Sequence, residues 1–260
     1  MVENIYLRDF LSNGWKFPKA IWDELDDRSR NFARFEFGGL RSKDYYKRRL
    51  KSIGFVGKEN ILDAGCGMGQ WSIALSELNG KVFGLDISKF RVKIAKTLAA
   101  TNGVDAKFCV GKLENLPFSD SFFDAIFCYG VFMFTDMPKT IKEFIRVIKP
   151  GGIIYLNANS WGWYLHLLID RGLMKLNLGM IKSAMLFIAR TFLHRNSCIV
   201  VTEKYLKGLL DSFNCKILAL DVEGGIRLFG NKCLYVPPAY KSNYYGLRSI
   251  IEVVCKVDKR

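Results

Sequence analysis

Short apolar runs rich in β-branched and aromatic residues alternate with stretches of helical periodicity from about Asn60 onwards. This alternation is typical of consecutive βαβ units, which build a parallel sheet with helices on its faces. It predicts seven strands, near Ile61–Ala64, Val82–Asp86, Ala106–Val110, Phe123–Tyr129, Gly152–Asn157, Cys215–Asp221 and Ile250–Val257. It also predicts helices between them, near Gln70–Leu78, Lys89–Thr101, Pro138–Ile148 and Glu203–Ser212. A Lys-Pro-Gly-Gly run at 149–152 predicts a stop between helix and strand.

The flanking segments suggest how the chain is divided. Residues 1–55 are rich in aromatics and arginine and predict an N-terminal helical cover over a core at 56–160. Residues 161–200 are too long for a plain connection and too apolar for an exposed loop, so they predict an inserted cap of two helices broken near Asn177–Gly179. Residues 201–260 complete the core sheet.

A glycine-rich turn follows the first predicted strand in the segment ENILDAGCGMGQWSIAL. Asp63 ends the strand, and the glycine loop of Gly65, Gly67 and Gly69 leads into a helix. Glycines allow a ligand to approach the main chain closely, and a helix N-terminus offers free N–H groups to an anionic ligand group. Gln70 stands where a dinucleotide fingerprint has its third glycine, which disfavours a dehydrogenase.

The second predicted strand ends at Asp86, within KVFGLDIS. Ligands of doubly wound folds bind at the carboxyl edge of the sheet, so this carboxylate is expected beside the glycine loop, where it could hold a ribose diol. The alternative role for Asp86 is a helix N-cap, but Ser88 is better placed for that.

Four ordered motifs together, namely the glycine loop, Asp86, LPFSDSFFD and IKPGG, resemble class I S-adenosylmethionine-dependent methyltransferases. The resemblance implies an α/β, doubly wound, seven-stranded, mostly parallel sheet with an antiparallel last strand. It also implies S-adenosylmethionine as the cofactor. In that family Asp63 and the glycine loop lie against the methionine portion, Asp86 holds the ribose hydroxyls, and Ile87 packs on adenine.

The adenine edge departs from the family pattern, because the third strand is followed by Gly111-Lys112-Leu113-Glu114. The Lys112 ammonium cannot accept a hydrogen bond from the adenine amino group. That contact therefore passes to a backbone carbonyl, to Glu114 or to water, with Leu113 against the ring. Tyr129, after the fourth strand, is expected beside the reactive methyl group, lining the acceptor pocket or packing in the core.

Only two histidines, His166 and His194, are available as a general base for a hydroxyl acceptor. His166 precedes Asp170 by four residues, so on a helix the carboxylate could orient the imidazole; a solvent-edge pair is the alternative. His194 lies beside Arg190 and Arg195, which suits an anion-binding edge or a basic helix end as well as a base. No carboxylate cluster on the acceptor side predicts a metal site.

The formal charge of +14 is concentrated in the flanks, and residues 161–200 hold five Lys/Arg and a single acidic residue, Asp170. An acid-poor, apolar cap suits a small-molecule acceptor, anionic or lipid-linked, and peripheral membrane contact. Our leading prediction is therefore methyl transfer to a hydroxyl oxygen on a glycan, lipid-linked or natural-product substrate.

Two alternatives stay open. The first is an RNA or other nucleic-acid methyltransferase, suggested by the basic charge but disfavoured by CYGVFMF in place of a polar active-site run. The second is a catalytically silent cofactor-binding protein. Seven cysteines without a C-x-x-C pair, and an N-terminus without the features of a signal peptide, predict a cytoplasmic location.

Overall fold

The computed structural model describes residues 3–39, 41–193, 195–228 and 240–258. Its strands form a seven-stranded sheet in the order β3 (Ala106–Val110), β2 (Lys81–Asp86), β1 (Asn60–Ala64), β4 (Phe123–Cys128), β5 (Ile148–Asn159), β9 (Ile250–Val257) and β6 (Cys215–Val222). A separate two-stranded ribbon consists of β7 (Asn243–Tyr244) and β8 (Leu247–Arg248). The β1–β2, β2–β3 and β4–β5 pairs are parallel, whereas β9 runs antiparallel to both β5 and β6. The predicted doubly wound sheet with an antiparallel last strand is confirmed.

The described residues divide into two compact units, of which the first ends at Lys112. Its elements are α1 (Glu3–Ser12), α2 (Lys19–Glu24), α3 (Asp27–Phe37), α4 (Lys43–Ser52), β1 (Asn60–Ala64), α5 (Gln70–Ser76), β2 (Lys81–Asp86), α6 (Lys89–Thr101) and β3 (Ala106–Val110). The α6 and β3 bounds match the prediction. Helix α5 stops two residues short of Leu78 because the Asn79 amide donates to the Leu75 carbonyl at 2.9 Å.

The four N-terminal helices bury an aromatic core of their own. Trp15 meets Phe37 and Tyr46 edge to face, at centroid distances of 5.1 and 5.5 Å, and its indole N–H donates to the Arg41 carbonyl at 3.1 Å. Edge-to-face pairs contribute on the order of 1 kcal/mol each beyond the burial of their surface. The four-part division of the chain at 55, 160 and 200 stays a prediction.

The second unit begins at Leu113. It contains β4 (Phe123–Cys128), a 3₁₀ turn (Phe132–Phe134), α7 (Met137–Val147), β5 (Ile148–Asn159), α8 (Trp161–His166), a π-helical segment (Leu167–Leu173), α9 (Leu178–Phe192), α10 (Glu203–Ser212), β6 (Cys215–Val222), β7 (Asn243–Tyr244), β8 (Leu247–Arg248) and β9 (Ile250–Val257). The α10 and β9 bounds are as predicted, and α7 lies one residue earlier than predicted because Asp136 caps it.

Two strand limits in this unit correct the sequence analysis. Strand β4 ends at Cys128, before Tyr129, because the N–H of the following Gly130 donates to the Asn157 side chain at 2.7 Å. The Lys-Pro-Gly-Gly run does stop α7, but it belongs to β5. Between the Phe123↔Ile148 and Ala125↔Ile153 pairs it forms a bulge, which Gly151 permits with φ +77°.

The inserted segment begins as an α-helix and becomes π-helical before its break. Helix α8 passes into the π-helical turns, and α9 starts after Asn177, whose side chain accepts the Met180 N–H at 3.1 Å. The break near Asn177 is confirmed, while the π-helical segment was not predicted. Within the described residues, none of the helices has the length and apolar character needed to cross a bilayer.

Candidate functional site

The glycine loop is tied to the end of β2 by its own backbone. The N–H groups of Gly65 and Cys66 both donate to the Leu85 carbonyl, at 2.7 and 3.0 Å. All three loop glycines have left-handed φ values, +83° at Gly65, +55° at Gly67 and +88° at Gly69. Only glycine adopts three such conformations without strain, so the sequence dictates this turn.

Gly69 and Gly67 differ in the space around them. A Cβ at Gly69 would lie 3.1 Å from the Cβ of Ala95, so this glycine lets α5 start close against α6. A Cβ at Gly67 would meet no atom within 4 Å. The space above Gly67 is therefore open, which is what a ligand seated on the loop requires.

Asp86 is buried at the end of β2 and holds the loop from the other side. Its Oδ2 accepts the Gly67 N–H at 3.0 Å, and its Oδ1 accepts the Ser88 N–H at 2.9 Å. An ionised carboxylate has about four acceptor positions, so about two remain for a ligand diol. The next side chain, Ile87, is 67% exposed and offers an apolar surface beside this carboxylate.

Ser88 has the role that the sequence predicted. It is the N-cap of α6, with its hydroxyl accepting the Arg91 N–H at 3.3 Å. Asp86 is therefore not the cap of that helix.

Asp63 lies at the end of β1 with almost no exposure. Its Oδ2 accepts the Ser72 hydroxyl at 2.5 Å. Burial raises the pKa of Asp63 to about 7, with the Asp86 charge adding to the rise and the Ser72 hydrogen bond opposing it. Burial, and then the Asp63 and Asp86 carboxylates, raise the pKa of the Cys66 thiol, so this cysteine stays protonated and is not a nucleophile.

A buried polar network joins the start of α5 to the N-terminal helices. Glu36 pairs with Arg41 at 2.6 Å, and both side chains are about 95% buried. The Tyr46 hydroxyl donates to the same carboxylate at 2.6 Å, and so does the Gln70 amide at 3.1 Å. Gln70 directly follows Gly69, so this network fixes the first residue after the glycine loop.

The remaining cofactor candidates are Lys112, Leu113, Glu114 and Tyr129. The Lys112 side chain is exposed, and Leu113 is buried. Glu114 accepts the Asp136 N–H at 3.0 Å, which holds one of its oxygens at the start of α7. The Tyr129 hydroxyl donates to the buried Glu223 carboxylate.

His166 ends α8 and is held on two sides. Its Nδ1 lies 2.6 Å from Asp170 Oδ2, and its ring stacks on Tyr244 at a centroid distance of 4.2 Å. The Tyr245 hydroxyl donates to the other Asp170 oxygen at 2.5 Å. Together Tyr245 and His166 hold the pKa of the Asp170 carboxyl below its ordinary value. His194 lies outside the described residues.

A family model described as a methyltransferase domain matches residues 56–211, which is more than half of the chain. The chain belongs to the methyltransferase-domain family. Its seven-stranded, mostly parallel sheet is the fold that the sequence resemblance implied.

Curated relatives match this chain over part of their length. Demethylmenaquinone methyltransferase from Staphylococcus aureus is 34% identical over 132 residues, which are 49% of this chain and 53% of the relative. The match therefore spans about half the length of these relatives.

Solved structures share the fold over more of the chain. A geranyl diphosphate C-methyltransferase from Streptomyces coelicolor A3(2) has a TM-score of 0.61 at 13% identity, covering 92% of this chain and 88% of the other. A SAM-dependent methyltransferase from Methanosarcina mazei has a TM-score of 0.54 at 21% identity, covering 78% and 94%. At these identities the similarity is one of fold.

The residues of this chain fit S-adenosylmethionine at the glycine loop and the end of β2. The open space above Gly67 admits a ligand to the backbone, the acceptor positions of Asp86 suit a ribose diol, and the exposed Ile87 suits an adenine face. The roles of the individual residues stay predictions. Among the described residues no cluster of three or more His, Cys, Asp or Glu side chains is arranged to hold a metal ion.

Several partners of the predicted site residues were missed by the sequence analysis. Ser72, nine residues after Asp63, faces it from α5, and Glu223 comes to Tyr129 from 94 residues away. Tyr244 and Tyr245 reach His166 and Asp170 from a hairpin that was not predicted. The helical periodicity after the glycine loop could have indicated that Ser72 faces Asp63. No local sequence signal marks Glu223, Tyr244 or Tyr245.

Proposed function

We propose that this methyltransferase moves a methyl group from S-adenosylmethionine to a small-molecule acceptor. The observation that carries the proposal is the arrangement of Asp86 and the glycine loop, where one carboxylate holds the Gly67 backbone and keeps acceptor positions for a diol. When bound, the cofactor supplies a methyl group activated on a sulfonium. Displacement at such a centre is served by alignment and by exclusion of water, and it needs no covalent participation by the protein.

Each donor-side residue has a distinct task in this proposal. Asp86 binds the ribose hydroxyls, Ile87 supports adenine, and the loop glycines let the methionine portion approach the backbone. Asp63 faces the cationic amino group of that portion. Because burial sets the pKa of Asp63 at about 7, the carboxyl group loses its proton most readily when a positive charge is placed beside it.

On the acceptor side we propose a hydroxyl group activated by His166. In the neutral tautomer that donates Nδ1–H to Asp170, Nε2 is the nitrogen that can accept a proton. During methyl transfer the hydroxyl proton would pass to Nε2 of His166, and Asp170 would stabilise the resulting imidazolium. Glycan, lipid-linked and natural-product hydroxyls are the acceptor classes that we proposed from sequence.

The names of the relatives support a small-molecule acceptor. Demethylmenaquinone and geranyl diphosphate both contain an isoprenoid chain, and one neighbour is named as a C-methyltransferase. Carbon is therefore the second candidate for the acceptor atom. A carbon acceptor with an activated double bond would use His166 to remove a proton after methyl transfer.

The test is incubation of the protein and its Asp86→Asn variant with methyl-tritiated S-adenosylmethionine and separate extract fractions of small molecules, lipids and RNA. We expect label in a small-molecule or lipid product, reduced in the variant, and degradation of the product identifies an O-methyl or C-methyl bond. Label in RNA would support the nucleic-acid alternative. Cofactor binding without transfer to any fraction would favour the silent cofactor-binding protein.

A further inference from the structure

Helix α9 exposes apolar side chains on the face that points away from its unit. Leu178, Met185 and Phe192 are spaced seven residues apart, so at about 100° per residue they form one stripe. Their exposed fractions are 69%, 51% and 70%. The opposite face of the helix is buried through Ala184 and Phe187. The helix is therefore apolar on its outer face as well as its inner one, unlike an ordinary surface helix.

The turn before α9 extends this surface. Met174 and Leu176 are 74% and 87% exposed, and Leu186 lies 51% exposed beside the stripe. We define the cap surface as the exposed apolar residues Met174, Leu176, Leu178, Met185, Leu186 and Phe192. Contiguous exposed groups of this kind mark interaction sites, whereas scattered single residues do not.

The charge around the cap surface favours an anionic partner. From Arg171 to Thr202 the sequence has five Lys/Arg and no Asp or Glu. Lys175, Lys182 and Arg195 are exposed, and Lys182 lies on the same face of α9 as Leu178. Long basic side chains can keep their ammonium groups in the headgroup layer while their neighbours enter the acyl region.

We propose that the cap surface docks the protein on an anionic lipid bilayer, with α9 in the plane of the interface. Protein interface cores are depleted of lysine, and a second copy of this chain would bring like charges together across a twofold axis. An anionic bilayer accommodates the apolar stripe and the cations together. The docking is independent of the acceptor proposed above.

The test is co-sedimentation of the full chain with sucrose-loaded vesicles of phosphatidylcholine alone and of phosphatidylcholine mixed with phosphatidylglycerol. We expect clear preference for the mixed vesicles, weakening as salt is raised. The Lys175→Gln/Lys182→Gln variant should lower partitioning about tenfold or more, since a surface Lys or Arg contributes a factor of about five. The Leu178→Ser/Met185→Gln/Phe192→Gln variant should lower it about tenfold or more as well, because membrane binding scales with the buried apolar area.

Matched controls separate docking from general effects of mutation. Leu11→Ser removes an exposed leucine outside the cap surface, and Lys81→Gln removes an exposed lysine outside it. Neither substitution should change partitioning. S-adenosylhomocysteine affinity reports folding of every variant and should stay unchanged. Absence of vesicle binding, or equal binding by the cap variants, would overturn the proposal. Self-association that the apolar variant abolishes, with vesicle binding unchanged, would also overturn the proposal. A second copy of the chain would then cover the surface.

Discussion

Asp86 Oδ2 accepts the backbone N–H of Gly67 at 3.0 Å, so the carboxylate at the end of β2 shapes the loop it is proposed to serve. The same side chain therefore has a structural role before any ligand arrives. Its replacement should affect both the loop and the ligand.

The Asp86→Asn variant should bind S-adenosylhomocysteine about 10- to 100-fold more weakly. The amide offers one acceptor oxygen where the carboxylate offers two, and hydrogen bonds to a charged group contribute about 1.5–3 kcal/mol. Isothermal titration calorimetry measures the change. Asp105→Asn, in the loop before β3, is the matched control and should bind normally. Equal affinity of both variants and the wild type would remove Asp86 from the site.

Gly69→Ala tests the close approach of α5 to α6. Both Gly69 and Gly103 have left-handed φ values, +88° and +72°, so alanine at either should cost about 1 kcal/mol of unfolding free energy. Only at Gly69 would the new Cβ press on Ala95, at 3.1 Å. We expect an extra loss of stability and weaker S-adenosylhomocysteine binding for Gly69→Ala alone. Indistinguishable variants in urea unfolding and calorimetry would contradict this reasoning.

The buried Asp63 should make stability depend on pH. Its folded pKa of about 7 lies above the ordinary 3.8, so the folded state binds the proton more tightly. The resulting stabilisation is full below pH 3.8 and is lost as pH rises through about 7. Asp63→Asn should therefore become more stable relative to the wild type as pH rises across this window. Urea unfolding measured at intervals across the window checks the trend, and a constant difference would refute it.

Cofactor affinity should increase with pH, whereas the stabilisation from protonated Asp63 decreases. If the cationic amino group lies against Asp63, binding requires the ionised carboxylate, and affinity should fall by up to tenfold per pH unit below about 7. The Asp63→Asn variant should bind weakly and without this dependence. Calorimetry in buffers of different ionisation enthalpy would also detect proton release by the wild type below pH 7. No proton release would indicate that Asp63 faces no cation in the complex.

His166→Gln should lower turnover by about 10²- to 10⁴-fold while leaving S-adenosylhomocysteine affinity unchanged, as expected for a lost general base. Asp170→Asn should cause a smaller loss, because it removes the group that orients the imidazole. The pH–rate profile provides the discriminating measurement, since the acid limb due to the histidine should vanish in His166→Gln. Near-wild-type turnover of that variant would exclude the general-base role.

The Glu36–Arg41 pair allows a double-mutant cycle on stability. Glu36→Gln or Arg41→Gln alone breaks a buried ion pair, which typically costs about 3–5 kcal/mol. The double variant should recover part of that loss, because neither charge remains. Additive losses in the free energy of unfolding would show that the two side chains do not couple.

Local features of the sequence were sufficient to predict most of the sheet. The bounds of β3, α6, α10 and β9 agree with the structure because periodicity, turns and caps such as Ser88 lie within the elements themselves. The glycine loop and Asp86 were predicted for the same reason. They are short signals next to the strands that position them.

The features that were missed depend on distant parts of the chain. The two-residue hairpin turn at Tyr245–Gly246, with both φ values positive, lacks the Asn-Gly sequence that usually marks it. It nevertheless carries the hydroxyl that reaches Asp170. Likewise, Gln70 meets Glu36 from 34 residues away, and nothing in either neighbourhood indicates the pairing.

The contact between Gln70 and Glu36 matters for anyone who wishes to shorten the protein. The family match starts at residue 56, and a fragment cut there would keep the glycine loop and Asp86. It would lose Glu36 and Tyr46, leaving the Gln70 amide without its carboxylate and the Trp71 ring without Tyr46, which it meets at 4.4 Å. The family match therefore begins after residues that the start of α5 contacts, and a fragment designed from sequence similarity alone would omit them.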